Sequence, residues 1–307
     1  MRKRSTYLLP LLTFVLWGSL YVVSKDVMTQ IPPVTLLFLR YVTACLALFV
    51  CLKIRRTPLP PIKRKDRGAF LLVGFAEYAL AIALQQISTS MLDAALASLI
   101  NAINPIFICL MAFLILRERI TAEQIMGILL AIAGVYIILG VSGSGASIAG
   151  ILVSLSSVFF WSLCSVMIRK VTKAYDPIVI TFYGMLLALI PTAPAMLVEL
   201  HFRPILITLP GILQVLYLGL VTTCAAHVLW NKGLQRMPAA ACSAFYPVQP
   251  LTSALLGVLF LHEPITSSFI WGSAAISCGI LLSIMHLPLP WRRKAAAEGP
   301  RQPDHRR

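Results

Sequence analysis

Apolar residues gather along this chain in runs of about 18 to 25, the length at which a helix crosses a bilayer, with short polar segments between them. Ten runs are predicted as membrane-spanning helices. The first five are Tyr7–Ser24 (span 1), Pro33–Leu52 (span 2), Gly68–Ile87 (span 3), Leu92–Leu116 (span 4) and Ala122–Gly140 (span 5). The second five are Ile148–Ile168 (span 6), Ile178–Val198 (span 7), Leu209–Trp230 (span 8), Ala239–Leu261 (span 9) and Ser267–His286 (span 10). Span 1 follows Arg2-Lys3-Arg4, as a secretory signal would. It is nevertheless long, lacks a small-x-small cleavage site and is succeeded by further runs, so it is read as retained.

Part of this pattern is written twice. Asn104-Pro105, Arg117-Glu118-Arg119-Ile120-Thr121, Gly127 and Gly134 recur as Gln249-Pro250, His262-Glu263-Pro264-Ile265-Thr266, Gly272 and Gly279 at a constant offset of 145. Ala94-Ala95 and Ser98 recur as Ala239-Ala240 and Ser243, while Trp17, Lys25 and Pro33 match Trp161, Arg169 and Pro177 at an offset of 144. One register held over so many unlike residue types is an internal duplication. Five spans per copy, an odd number, turn the second copy upside down, and inverted repeats around a midplane site are the architecture of secondary transporters.

Composition agrees with lipid as the main solvent. Hydrophobic residues make up 59% of the 307 and charged residues 12%, with mean hydropathy +0.86, against about 25% charged in a soluble globule. The seven cysteines all lie inside apolar runs without a CxxC pair, and are read as small buried hydrophobes, neither disulfides nor metal ligands. With the N-terminus placed inside, 23 of the 26 Lys and Arg fall in cytoplasmic segments, two (Lys25 and Arg203) fall outside and Arg40 lies within a span. Both termini are therefore expected in the cytoplasm. The net charge of +15 is spread over six cytoplasmic edges, which suits topology and anionic headgroups, not a nucleic-acid partner. The chain divides into a cytoplasmic N-terminus (1–6), a first repeat (7–140), a second repeat (148–286) and a basic cytoplasmic tail (287–307), disordered from Trp291 on.

The opening Leu16-Trp17-Gly18-Ser19 … Lys25 … Pro33 … Phe38-Leu39-Arg40-Tyr41 resembles the start of an EamA-type repeat. The later series of Asn104, Pro105, Arg117 to Ile120, Gly127 and Gly134 resembles its end. The resemblance covers Tyr7 to His286 in two copies and points to the drug/metabolite transporter superfamily. It implies an all-α, ten-helix carrier of small metabolites such as amino acids. Its cavity would be lined by spans 1–4 and 6–9, with spans 5 and 10 packed peripherally. The second copy departs from the pattern, with Ser162 where the first has Gly18 and Gly184 in place of Arg40.

Several intramembrane residues can carry chemistry. Pro105 and Pro250 remove a backbone donor inside a span, and Asn104 or Gln249 beside each can bond freed backbone groups or a solute; a kink that only shapes packing is the alternative. Glu77 is the one acidic residue well inside a span. A carboxylate there costs at least ~2.5 kcal/mol and needs a partner, water or a proton. Glu77 is expected to carry a coupling proton, with Arg40, at similar depth, either pairing with it or holding a substrate carboxylate; a fixed salt bridge is the alternative. Trp17 and Trp161 fall near mid-span, as cavity walls or packing wedges, and Asn101 and Tyr246 lie one turn from the kinks. Tyr183, Gln85 and Gln86 are further polar residues within spans, and His227 is read as a satisfied histidine near the cytoplasmic end of span 8. Glu118 and Glu263 precede threonines that can cap the next helix, Thr121-Ala122-Glu123-Gln124 having capping-box form, and are read as structural. Gly127, Gly134, Gly272 and Gly279 permit close helix approach within one chain or across a homodimer seam.

No HExxH, GxSxG or GxxxxGK[ST] occurs, so neither an enzyme nor an ATP-driven pump is expected, and no cofactor or metal is called for. A channel would need a continuous polar stripe, whereas the polar residues are sparse and central. The expectation is a multi-pass secondary carrier in the cell membrane, exporting an amino acid or related amphipathic solute by alternating access, with protons as candidate coupling ions. A drug or lipophilic-cation efflux protein, or a nucleotide-sugar or lipid carrier of the same superfamily, is the alternative.

Overall fold

The computed structural model describes residues 4–56, 59, 61–116, 122–141, 147–167, 175–236, 242 and 245–285. Glu118, Thr121, Arg169, Ala239, Ala240 and the basic tail, all given roles above, lie outside them. The described residues are helical with no strand among them. Six helices are long and apolar enough to cross a membrane: Tyr7–Val27, Pro33–Ile54, Arg64–Met91, Ile148–Ser165, Pro177–Phe202 and Leu209–Gly233, which are spans 1, 2, 3, 6, 7 and 8. Shorter apolar helices stand at the other four expected places.

The outer surface is apolar, and a minority of polar side chains lies buried in a largely apolar interior. Leu46, Phe49, Val50, Ile132, Tyr136, Ile190, Leu197, Leu251, Leu255 and Leu259 are exposed, while Arg40, Glu77, Gln86, Asn104, His227 and Gln249 are buried. Exposed side chains of that kind need hydrocarbon around them. The free cysteines follow the same division: Cys45, Cys164 and Cys242 are buried, Cys51 and Cys224 half-buried, and Cys278 exposed on span 10. The expectation that all seven are buried therefore fails for Cys278.

Contacts between the repeats come in exchanged pairs. Span 1 packs on span 9 as span 6 packs on span 4, and span 1 packs on span 8 as span 6 packs on span 3. Span 2 packs on span 8 as span 7 packs on span 3, and spans 2 and 7 pack on each other. This is the signature of a pseudo-two-fold relation between the two copies. Among the described residues, polar contacts tie span ends together at two faces. On one face Glu199, ending span 7, accepts from the Val34 amide (3.1 Å), the Thr35 amide (2.6 Å) and the Thr35 hydroxyl (2.8 Å) at the start of span 2. On the other, Tyr175 before span 7 donates to Asp66 before span 3 (2.8 Å) and accepts from the Lys63 amide (3.2 Å).

Glu263 shows a role that local sequence hides. Thr266 does cap span 10, accepting from the Phe269 amide at 3.1 Å. The Glu263 carboxylate, however, crosses to the other repeat and accepts from the Ala94 and Ala95 amides (2.8 and 3.4 Å), the bare start of span 4, where a helix N-terminus favours an anion. Lys25 at the end of span 1 completes the cluster, 3.7 Å from Glu263 and 3.3 Å from Asp93.

Spans 5 (Ala122–Val141) and 10 (Ser267–Met285) pack chiefly on each other, at the edge of the bundle. The glycines set that distance. A Cβ on Gly134 would lie 2.7 Å from the Gly272 carbonyl, and one on Gly279 2.5 Å from that of Gly127. Gly134 and Gly279 are thus spent inside one chain. Gly279→Val is expected to cost about 1–3 kcal/mol through overpacking, read as a lower unfolding temperature in detergent. Gly68→Val, at a position with nothing within 4 Å, should leave that temperature within a degree or two of wild type; equal effects from both would mean the glycine seam sets nothing.

Candidate functional site

Both proline positions break their spans. In span 4, helix Ala94–Asn101 ends and Asn104–Leu116 begins afresh after Ala102-Ile103. The Asn101 carbonyl, which the missing Pro105 N–H would have served, accepts instead from the Asn104 side chain at 2.7 Å. Asn104 also donates to the Asn101 side chain (3.1 Å), and Ser162 donates to Asn104 (3.0 Å). Asn104 is therefore engaged in repairing the break. In span 9, residues 245–247 form a turn, helix Val248–Leu256 follows, and Pro250 lies in its first turn, where no intrahelical donor is needed. The Oε1 of Gln249 is buried without a hydrogen-bond partner.

A second irregularity is unannounced in the sequence. The third span of each repeat carries a π-helical segment at its centre, Val73–Ala81 in span 3 and Leu218–Ala225 in span 8. Such wide turns release carbonyls from the regular ladder and are frequent at functional sites. In span 3 neighbouring spans take two of them up: Tyr41 donates to the Tyr78 carbonyl and Ser157 to that of Ala81 (2.7 Å).

Breaks and wide turns surround one central cavity. Span 1 contributes Trp17 and Tyr21, span 2 Arg40, span 3 Gln85, and span 4 Asn101. From the second repeat come Ser157 and Trp161 of span 6, His227 of span 8, and Tyr246 and Gln249 of span 9. Six of the ten residues singled out by sequence meet here: Trp17, Arg40, Asn101, Trp161, Tyr246 and Gln249. Asn104, Glu77, Pro105 and Pro250 stand behind the wall. Trp17 and Trp161 meet edge to face at 6.1 Å across the repeat boundary. The cavity offers about 30 Å³ to the centres of water-sized molecules, room for about two waters.

Arg40 is 1% exposed. Its Nε donates to the Thr223 hydroxyl at 3.0 Å and its Nη1 to Gln86 Oε1 at 2.7 Å. Gln85 in turn donates to the Tyr21 hydroxyl. Of the two roles considered for Arg40, the ion pair with Glu77 is not formed: among the described residues every ion pair involves Lys25. Arg40 meets span 3 at Gln86, nine residues and so about 13 Å of helix from Glu77. Glu77 is the fourteenth residue of the 28 in Arg64–Met91, 7% exposed, with Oε2 buried and without a hydrogen-bond partner.

His227 departs furthest from expectation. It lies inside, 3% exposed, with Trp17 at 5.3 Å, Tyr78 at 5.4 Å and Trp161 at 6.3 Å between ring centroids. Its Nδ1 meets the Thr223 carbonyl at 2.8 Å and its Nε2 has no partner. At the repeat offset of 145 His227 corresponds to Ile82 of the first copy, which also lines the cavity.

Two copies of one repeat are also what comparison with known proteins returns. The chain is 27% identical over 310 residues to a probable amino-acid metabolite efflux pump of Salmonella typhimurium (strain LT2), covering 97% of this chain and 100% of that one. It is 25% identical over 273 residues to an uncharacterised transporter of Archaeoglobus fulgidus, covering 89% and 96%. A solved crystal structure at 20% identity superposes with a TM-score of 0.67 over 92% of this chain and 97% of the other, which shows the shared fold. The EamA-like transporter family matches residues 4–140 and again 148–285, so both copies, and with them nearly the whole chain, belong to that family.

Proposed function

We propose that this protein is a secondary transporter that exports amino acids or related amphipathic solutes across the cytoplasmic membrane, both termini inside, by alternating access. The observation that carries this reading is Arg40: a permanent cation at the wall of a chamber between two repeats, held by neutral side chains and, among the described residues, paired with no carboxylate. A buried cation kept in that condition is matched to an anionic group that arrives and leaves. The aromatic walls suit the apolar part of the same solute. The two relatives named as amino-acid metabolite efflux pumps, from Salmonella and from Escherichia coli at 26% identity over 304 residues, point the same way. A lipophilic cation would set a second positive charge beside Arg40, so this reading is favoured over cation efflux.

A chamber with room for two waters cannot hold an amino acid. The form described is thus read as closed around its site, with polar contacts tying the span ends at both faces. Binding requires the repeats to part on one side, and release on the other. The test is counterflow in proteoliposomes loaded with the twenty amino acids, with and without an imposed pH gradient. Exchange of at least one amino acid, with tetraphenylphosphonium excluded, is the expected result. Uptake of tetraphenylphosphonium with no amino-acid exchange would replace this reading by the cation one.

A further inference from the structure

The cavity wall holds three buried polar atoms without partners: Trp161 Nε1, Gln249 Oε1 and His227 Nε2. Their residues are 9%, 1% and 3% exposed. Orphaned polar atoms at this burial are rare, because each forfeits its hydration without return. Their kinds are informative. Indole nitrogen only donates and an amide oxygen only accepts. For His227 the tautomer follows from its neighbour: Nδ1 faces the Thr223 carbonyl at 2.8 Å, and a carbonyl cannot donate. The hydrogen is on Nδ1, and Nε2 of the neutral ring presents a bare lone pair to the cavity.

Thr223 binds both ends of the site together. Its hydroxyl accepts from Arg40 Nε (3.0 Å) and its carbonyl accepts from His227 Nδ1. One residue therefore fixes a cation and an acceptor as a pair. Trp17 and Trp161 stand beside the imidazole, and indole faces attract ammonium groups. None of the lining residues is acidic, so an ammonium bound here must be met by neutral acceptors and aromatic faces. Glu77, behind the wall, is the acidic group on the neighbouring span 3.

We propose that His227 is a specificity-determining residue whose Nε2 accepts from the ammonium of the transported solute, with Gln249 Oε1 as second acceptor, while Arg40 holds the carboxylate. The substrate class is then the α-zwitterion, whose two charged groups stem from one carbon and can reach two side chains pinned to one residue. This rests on the transport reading above and sharpens it.

The experiment takes the amino acid exchanged fastest in counterflow and its 2-hydroxy acid analogue, in which a hydroxyl replaces the ammonium. The quantity read is the ratio of the two competition constants, in wild type, His227→Phe and His227→Gln. Phenylalanine keeps a ring and removes the acceptor, whereas glutamine restores an acceptor oxygen. The ratio is expected to fall at least tenfold in H227F and to stay within threefold of wild type in H227Q. An unchanged ratio in H227F, or the same collapse in H227Q, overturns the assignment. If H227F does not reconstitute as monodisperse protein, the ratio is read in His227→Leu under the same criterion. Failure of wild type to exchange any amino acid is a separate result: it removes the transport reading and this inference with it.

Discussion

Arg40→Met is expected to lower amino-acid exchange by roughly two to three orders of magnitude, the consequence of truncating one partner of a buried charge pair. The loss should appear mainly in KM, because the guanidinium is proposed to hold the solute from its arrival. Stability should change far less. Methionine fills the volume of the stem, and removing a desolvated charge offsets the hydrogen bonds lost to Gln86 and Thr223. Arg40→Lys should fall between: it keeps the charge, but a single ammonium cannot reproduce a fork whose Nε and Nη1 serve two residues on spans 8 and 3. Counterflow beside thermal unfolding separates the two effects. Wild-type exchange by R40M would leave the cavity with no proposed anchor for an anion.

Glu77→Gln should abolish accumulation driven by a pH gradient while leaving solute-for-solute exchange within about threefold of wild type. A carboxyl group at the centre of span 3, with one oxygen buried and unbonded and no cation within 4 Å among the described residues, cannot hold a charge there cheaply. It is tolerable as a proton carrier that meets water when the repeats part. Glutamine keeps shape and polarity but cannot release a proton. Uptake under an inward and an outward gradient, set beside exchange without a gradient, gives the answer. Retained gradient-driven accumulation in E77Q assigns the coupling elsewhere.

Much of the fold was legible because lipid leaves little freedom: apolar runs have to be helices, and a duplicated motif has to be a duplicated structure. The proline-amide pairs were legible too, since Pro105 removes the N–H that the Asn101 carbonyl would have used, and only a side chain such as Asn104 can replace it. Three features were not. Span ends read from sequence are loose and direction around a helix looser, so Arg40 and Glu77 were placed at one level, whereas Arg40 turns to Thr223 and to Gln86, nine residues along span 3 from Glu77. The same blindness put His227 at a membrane edge when its ring faces inward between Trp17 and Trp161. The π-helical segments of spans 3 and 8 carry no proline or glycine pair that marks a widened turn; in span 3 the carbonyls of Tyr78 and Ala81 are taken up by Tyr41 and Ser157, far away in sequence.

The contact of Glu263 with Ala94 and Ala95 bears on descent. The amides that begin span 4 belong to one copy and the acid that satisfies them to the other, so neither half is chemically complete alone. An ancestral gene encoding a single five-helix unit would have left that helix end bare unless a sister molecule, inserted the opposite way up, supplied the missing carboxylate. Fusion would then have made permanent a partnership that once depended on two molecules meeting.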